Sequence, residues 1–154
     1  MFMWCILRDK APIGDNLHRQ SFQGPSWCAL CKNSKESIDH YFIHCPITSL
    51  LWNQLQQLLK LNIRWDGKTI LSAWESWWNQ AHPSKLKNLP LLVCWCIWLS
   101  RNKLIFLGKP PNWSLASARI STLYNVIHDD ESKQPHMKVT VESIENSLLW
   151  AYFD

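Results

Sequence analysis

Three cysteines and two histidines lie within the eighteen residues CALCKNSKESIDHYFIHC, residues 28–45. Cys28 and Cys31 have the C-x2-C spacing, which lets two thiolates bind one ion from a tight turn whose backbone N–H groups can donate to the sulfurs. His40 and Cys45 follow, so the segment offers three sulfurs and one nitrogen. Such a set completes a tetrahedral shell for Zn²⁺, and the stretch therefore predicts a metal site.

The second histidine leaves the fourth ligand open on spacing alone. His44 lies one helical turn after His40. On a continuous α-helix the two would be about 40° apart around the axis, and Cys45 would point elsewhere. Cys28, Cys31, His40 and His44 are therefore a rival set, although the softer and stronger thiolate donor favours Cys45. In both sets four protein ligands leave no position for water, which predicts a structural zinc and not a catalytic one.

The composition around these ligands explains why the segment would need a metal. Residues 9–45 contain few large apolar side chains, and so short a piece, rich in loops, cannot bury enough surface to fold alone. Zinc binding, worth roughly 10–16 kcal/mol in zinc-finger peptides, can supply the missing stability. We therefore predict a small zinc-stabilised module over residues 1–62.

Downstream of this module, apolar residues recur at helical spacing. The stripes predict helices over residues 47–61, 70–81, 91–106 and 113–127. Pro46 and Pro90 suit first turns, and Asn112 or Ser114 suits the cap of the last helix. The predicted fold class is mostly α, with the zinc module followed by a Trp-rich helical region, residues 63–154.

The C-terminal region also contains segments without a helical stripe. Residues 108–112 (GKPPN) predict a linker, and residues 128–137 predict a polar loop. Residues 139–153 fit both helical and strand periodicity, and their length favours a helix.

The charge distribution bears on partners. Lys and Arg outnumber Asp and Glu by seven to four in residues 1–65 and by seven to two in residues 66–128, whereas residues 129–154 have two against six. A mildly basic body with an acidic tail permits contact with nucleic acid without requiring it.

The chain has no Tyr-x-Asp-Asp signature and no set of separated carboxylates of the RNase H kind. We therefore predict that it is not an enzyme.

The lengths of the apolar segments bear on the cellular compartment of the protein. The first one ends at Arg8, too early for a secretory signal peptide. The longest one, residues 89–99, is too short to span a bilayer and predicts a buried helix. We expect an intracellular protein, nuclear or cytosolic and not secreted, with no membrane contact. In that compartment closely spaced cysteines indicate a metal and not disulfides.

The segments APIGDNLHRQ, CALC and ESIDHYFIHCPITSLLW resemble the zinc-binding domain of plant non-LTR (LINE-type) retrotransposon polyproteins, which typically follows the reverse transcriptase. The resemblance covers about residues 1–55. Residues 95–106, WCIWLSRNKLIF, resemble the region that leads to RNase H in the same elements. The positions that match the family pattern are Trp4, Pro12, Leu17, Arg19, Cys28, Cys31, Glu36, Ser37, His40, Phe42, Cys45 and Trp52.

The resemblance implies a ligand set and a function. It places the zinc on Cys28, Cys31, His40 and Cys45 and makes His44 a neighbour. It implies a non-catalytic module that contacts RNA or DNA, with candidate nucleic-acid-binding residues around the zinc loop: Arg8, Lys10, Arg19, Lys32 and Lys35. The alternative is a protein-interaction module, the remnant of a polyprotein that packed against reverse transcriptase or RNase H.

Two positions depart from the family pattern, and one of them is Ala11, which replaces the usual large apolar residue. Ile13 stands where the family usually has a threonine that caps the next helix. We therefore expect Gly14 or Asp15 to serve as a weaker cap.

Overall fold

The computed structural model describes residues 2–21, 23–24, 26–81 and 84–133. This part of the chain is mostly helical, and within it the only β pairing is an isolated antiparallel bridge between Trp27 and Lys35. The predicted mostly α class is confirmed. The α-helices are α1 (Phe2–Leu7), α2 (Gly14–Arg19), α3 (Pro46–Leu58), α4 (Ile70–Gln80), α5 (Leu89–Leu107) and α6 (Trp113–Lys133).

The four long helices begin at residues that the sequence marks. Pro46 and Pro90 occupy the first turns of α3 and α5, where the missing N–H has no helical partner to lose. Thr69 and Ser72 form a reciprocal capping box at the start of α4. At the start of α6, the Asn112 side chain accepts a hydrogen bond from the Leu115 N–H at 3.0 Å. Asn112 is therefore the cap of α6, and it is one of the two residues predicted for that position.

Helix α6 is longer than predicted. It continues to Lys133, so residues 128–133 are helical and the polar loop expected over residues 128–137 is wrong for this part. No glycine or proline interrupts residues 113–133, and a helix already formed gains one backbone hydrogen bond with each added residue. Residues 134–137 and 139–153 lie outside the described residues. Between α5 and α6, residues 108–112 are not helical.

Helix α5 lies at the centre of the protein. Twelve of its residues are buried, including the run from Leu89 to Ile97, because the helix is apolar on every side at its N-terminal end. The segment Leu86–Leu107 has the length and composition of a membrane-crossing helix, but 67% of its most apolar window is buried inside the protein. The predicted buried helix is therefore present.

Tryptophans form much of the packing between helices. The ring centroids of Trp52 and Trp65 are 5.2 Å apart, and those of Trp52 and Trp77 are 5.6 Å apart. Trp77 is fully buried and donates its indole N–H to the Leu86 carbonyl at 2.8 Å. The same apolar core includes Phe42 from the zinc-binding segment. The division at residue 62 stays a prediction about which part folds by itself.

Candidate metal centre

The four predicted ligands lie together. The donor atoms of Cys28, Cys31, His40 and Cys45 are all within 4.8 Å of one another. The Cys28 and Cys45 sulfurs are 3.8 Å apart, and the Cys31 sulfur lies 3.3 Å from His40 Nε2. A tetrahedron with Zn–S bonds of about 2.3 Å and a Zn–N bond of about 2.0 Å has S···S edges of about 3.8 Å and S···N edges of about 3.5 Å. These two distances are within a few tenths of an ångström of the ideal edges, and donor pairs separated by as much as 4.8 Å would close by about 1 Å around one Zn²⁺.

Cys28 and Cys31 lie in a tight hairpin. Its arms are joined by hydrogen bonds from the Cys28 N–H to the Ser34 carbonyl at 2.8 Å and from the Glu36 N–H to the Ser26 carbonyl at 3.1 Å. Lys32 adopts a left-handed conformation (φ 57°), which closes the turn. The backbone N–H groups of residues 30 and 31 donate to the Cys28 sulfur. The predicted N–H donation to a ligand sulfur is therefore present.

A single π-helical turn, His40–His44, brings the other two ligands together. The Cys45 N–H donates to the His40 carbonyl at 2.6 Å, which is the i to i+5 pairing of a π turn. Because this turn is wider than an α turn, the side chains at positions i and i+5 can reach one ion. The α-helical geometry considered for residues 40–45 is therefore wrong, and it was the basis of the argument for His44.

His44 faces away from the cluster. Its side chain is exposed, and its Nε2 lies 3.2 Å from the backbone carbonyl of Lys68. It is absent from the set of clustered donors that the described residues form. The set with His44 as the fourth ligand is therefore not supported by the geometry.

Side chains from neighbouring segments of the chain hold the π turn. Trp65 donates its indole N–H to the Phe42 carbonyl at 2.9 Å, and the Thr48 hydroxyl donates to the Tyr41 carbonyl at 3.0 Å. At the start of the turn, the Ser37 hydroxyl accepts from the His40 N–H at 3.1 Å. The first two bonds satisfy carbonyl groups, and the third satisfies an N–H group, that the irregular turn would otherwise leave unpaired.

The electrostatics of the thiols suit metal binding. The pKa of Cys45 is lowered to about 5, first by the hydrogen bond that it accepts from Cys28 and then by the backbone N–H groups of Thr48 and Ile47. Those N–H groups belong to the first turn of α3, whose dipole favours a negative charge. The same bond to Cys45 and burial raise the pKa of Cys28. The N–H groups at the start of α3 therefore favour the thiolate form of Cys45, which is the form that binds a metal.

Glu36 anchors the hairpin to the rest of the protein. Its carboxylate is 1% exposed and accepts from Arg101 Nε on α5 at 2.7 Å. It also accepts from the Gly14 N–H at 2.7 Å and from the Ala29 N–H at 3.3 Å. Residue spacing does not reveal this ion pair, although an arginine in an apolar helix indicates that a buried partner exists.

The start of α2 is capped from a distance. Ile13 provides no side-chain cap, and the first N–H of the helix, that of Gly14, goes to the Glu36 carboxylate. The Asp15 N–H donates to the Glu36 carbonyl at 3.2 Å. The expectation that Gly14 or Asp15 would cap this helix is wrong, because a residue 22 positions away supplies the acceptor.

The five candidate nucleic-acid-binding residues are exposed. Arg19 pairs with Asp9 at 3.4 Å, and Lys35 pairs with Asp15 at 3.3 Å. The Arg8 guanidinium lies 5.7 Å from the centre of the Trp4 ring. Lys10 and Lys32 form no ion pair with a described residue.

Comparison with protein families matches residues 1–52 to a family described as zinc-binding in reverse transcriptase. The match covers the N-terminal third of the chain and includes all four clustered ligands. No curated protein and no solved structure matches the chain. The family match and the four-ligand cluster together identify a structural Zn²⁺ site and confirm the predicted cofactor.

Proposed function

We propose that the N-terminal part of this chain is a non-catalytic, structural-zinc module of retrotransposon origin that contacts RNA or DNA. The closed Cys₃His cluster within the family-matched segment carries the proposal. The residue pattern around it supports the plant non-LTR type of element as the source. The partners would be nucleic acid and the neighbouring domains of the parent polyprotein.

The donor set supports a structural role for the metal. Catalytic zinc usually has three protein ligands and a water, whereas four good protein ligands close the shell. Cys28 and Cys45 are 0% exposed, so a substrate has no approach to the metal from their side. The metal therefore holds the hairpin and the π turn in register, and any contact with nucleic acid is made by the surface that they support.

The ion pairs of α2 support a single basic surface. Asp15 and Arg19 are four residues apart on α2, so their side chains lie on one face. Lys35 from the hairpin pairs with Asp15, and Arg19 pairs with Asp9 in the turn of residues 8–10. The hairpin, α2 and this turn therefore form one surface with five cations and two carboxylates, which we call the α2 surface. Exposed pairs of this kind are weak, so phosphates can compete for the cations.

The test is an anisotropy titration of labelled single-stranded RNA and DNA with the zinc-loaded full chain at roughly 50 and 200 mM salt. We expect binding that weakens with salt. Arg19→Gln with Lys32→Gln should lower the salt slope by about 1.4, since each lost phosphate contact on a single strand contributes about 0.7. The matched control is Lys60→Gln with Arg64→Gln, two exposed cations outside this surface. Absence of binding at the lower salt concentration, or equal losses in both variants, would sink the proposal.

An apolar cleft favours a protein-interaction module as the second candidate. It lies between α2 and the end of α5, has a volume of about 290 Å³, and is lined by Leu17, Trp98, Ile105 and Phe106 among others. Phe106 is 72% exposed and Leu107 is 60% exposed, and adjacent exposed apolar side chains mark interaction sites. Sedimentation of the purified chain with and without Phe106→Ser tests this candidate. A monomer at all concentrations, together with no binding to the parent reverse transcriptase or RNase H, would count against it.

A further inference from the structure

Trp27, in the first arm of the zinc hairpin, is one of the exposed tryptophans of this protein. Its side chain is 59% exposed, whereas five other tryptophans are buried in the core: Trp52, Trp65, Trp77, Trp95 and Trp113. An indole stabilises a protein mainly by burying its large surface, either in a core or in an interface. The ring of Trp27 is therefore accessible to a partner.

The register of the hairpin sets the direction of the Trp27 side chain. Trp27 and Lys35 form the antiparallel bridge, and the hydrogen bonds from the Cys28 and Glu36 N–H groups lie on either side of it. In a pair of this kind, which is not itself hydrogen-bonded, the opposite side chains lie close together on the same face. The next position of each arm points to the other face, where Cys28 and Glu36 are buried. The indole and the Lys35 ammonium are therefore neighbours on the outer face.

Lys35 connects the indole to the cations of the α2 surface. Its ammonium lies 3.3 Å from the Asp15 carboxylate at the start of α2. Arg19 follows four residues later, about 6 Å further along the same face of this helix. Lys32 is exposed in the turn of the hairpin itself. An accessible aromatic ring thus stands beside cations that can bind consecutive phosphates.

Trp78 provides a comparison within the same chain. It is also exposed, but it lies on α4 and outside the α2 surface. Its ring stacks on that of Trp74, with the centroids 5.9 Å apart, and the Lys87 ammonium lies 4.6 Å from the ring centre. Trp78 is therefore the matched control for any role of an exposed indole beside the zinc hairpin.

We propose that Trp27 stacks on an unpaired base of a nucleic-acid strand whose phosphates lie on the α2 surface, so that this surface selects single strands over duplexes. Proteins that bind single strands combine a basic groove with aromatic side chains on which bases stack, and they need no sequence because every base has an aromatic face. In a duplex each base is already paired and stacked, so the indole has no base to bind. The inference rests on the proposed function, because it names the class of nucleic acid that the same surface binds.

The first experiment compares strands with and without bases. Anisotropy measures how the zinc-loaded full chain binds three labelled DNAs at about 50 mM salt: a single strand, an abasic strand of equal length, and the matching duplex. We expect the strand with bases to bind about 5- to 150-fold more tightly than the abasic strand, which corresponds to the 1–3 kcal/mol of one base–aromatic stack. Binding of the abasic strand or of the duplex that is as tight as that of the single strand would overturn the proposal.

The second experiment assigns this difference to Trp27. Trp27→Leu keeps an apolar side chain but loses the aromatic face, so it should weaken binding of the strand with bases by the same factor of about 5 to 150. Binding of the abasic strand and the salt slope should not change, because stacking releases no counterions. Trp27→Phe should retain part of the affinity, and Trp78→Leu should retain all of it. Equal affinities of Trp27→Leu and Trp78→Leu for the strand with bases would overturn the proposal.

A measurement on the unaltered ring keeps the test independent of the leucine variant, whose zinc content is checked in parallel. The chain is labelled with 5-fluorotryptophan, and the ¹⁹F NMR signal of Trp27 is identified by its loss in Trp27→Phe. This signal should shift when the strand with bases is added and stay in place with the abasic strand. A signal that does not respond to bases would overturn the stack.

The outcomes separate this inference from the proposed function. Absence of binding by every strand at the lower salt concentration would sink both. Binding whose salt slope falls in Arg19→Gln with Lys32→Gln, but whose affinity is the same in Trp27→Leu, would leave the α2 surface standing and overturn only the stack.

Discussion

Residues 26–45 and helix α5 are joined by one buried ion pair, but different interactions keep each of them folded. The first segment contains a hairpin and a π turn, and four metal-binding side chains connect them. Helix α5 is held by burial on almost every side, with twelve buried residues. In the zinc segment stability depends on a few donor atoms at fixed distances, whereas in α5 it is spread over many apolar contacts.

The difference predicts how each region responds to change. An apolar core tolerates substitutions that keep volume and polarity, because its stability is roughly proportional to the area it buries. A metal site loses most of its binding energy with a single ligand, because the remaining donors cannot complete the shell. Substitutions at the metal site should therefore change zinc content, and substitutions in the core should change the free energy of unfolding while zinc stays bound. The variants below test this separation.

The largest effect is expected from removing a ligand. Cys31→Ser should abolish stoichiometric zinc and unfold residues 20–45, because zinc binding of roughly 10–16 kcal/mol in small finger peptides is what stabilises such segments. Zinc per chain by mass spectrometry and amide exchange of the segment are the measurements. One zinc per chain with unchanged melting would refute this prediction.

The control for that variant is His44→Ala. Its imidazole contacts the Lys68 carbonyl and lies outside the donor cluster, so zinc content should stay at one per chain. Loss of zinc in His44→Ala, with retention in a Cys45→Ser variant, would restore the rival ligand set and contradict the geometry.

A core substitution should have the opposite pattern. Trp77→Ala removes a fully buried side chain that packs against Trp52 and Trp65. We expect a loss of about 3–5 kcal/mol in the free energy of unfolding, measured by urea denaturation, with zinc still bound below the transition. The neighbouring Trp78 is 44% exposed, and Trp78→Ala should cost about 1 kcal/mol or less. Zinc loss from folded Trp77→Ala would mean that the two regions are not separable.

The connection between the two regions is the next target. Glu36→Gln keeps an oxygen for the Gly14 N–H but leaves Arg101 buried without a counter-charge. We expect a loss of about 3 kcal/mol in unfolding free energy, because a buried ion pair that loses one partner is strongly destabilised. Adding Arg101→Leu should recover part of this loss.

The adjacent residue provides the matched control for Glu36→Gln. Lys35 pairs with Asp15 through a side chain that is 72% exposed, and Lys35→Gln should change stability by less than about 1 kcal/mol. Equal losses in the two variants would show that the Glu36 pair is not distinct from a surface pair.

The fold was largely predictable, because helical stripes are local. All four long helices and the buried position of α5 follow from periodicity, prolines and caps. The capping of α2 was not predictable, since Glu36 comes from a hairpin that forms only in three dimensions. The partner of Arg101 was equally hidden, since it lies 65 residues away in the sequence.

The metal ligands were predictable as a group, but spacing did not decide between His44 and Cys45. A local signal was nevertheless present. Cys45 precedes Pro46, and a residue before proline is disfavoured in the α conformation. Cys45 is extended (φ −67°, ψ 121°), so the α-helix that would have favoured His44 could not continue through it. The π turn itself, with its partners Trp65 and Thr48, depends on tertiary contacts that periodicity does not report.

The smallest effect is expected at the contact between α2 and Glu36. A Cβ added at Gly14 would lie 2.9 Å from the Glu36 Cβ, so Gly14→Ala must push the hairpin away and should cost about 1–3 kcal/mol of unfolding free energy. The control is Gly108→Ala, whose added Cβ meets nothing within 4 Å but whose φ of 64° is strained for alanine, at about 1 kcal/mol. Calorimetric melting with a competing zinc chelator separates the two variants. Only Gly14→Ala should weaken zinc binding. Its added Cβ displaces Glu36, and the Glu36 carboxylate also accepts from the Ala29 N–H in the hairpin that contains Cys28 and Cys31. Equal zinc affinity in both variants would show that the hairpin keeps its ligand geometry without support from Glu36.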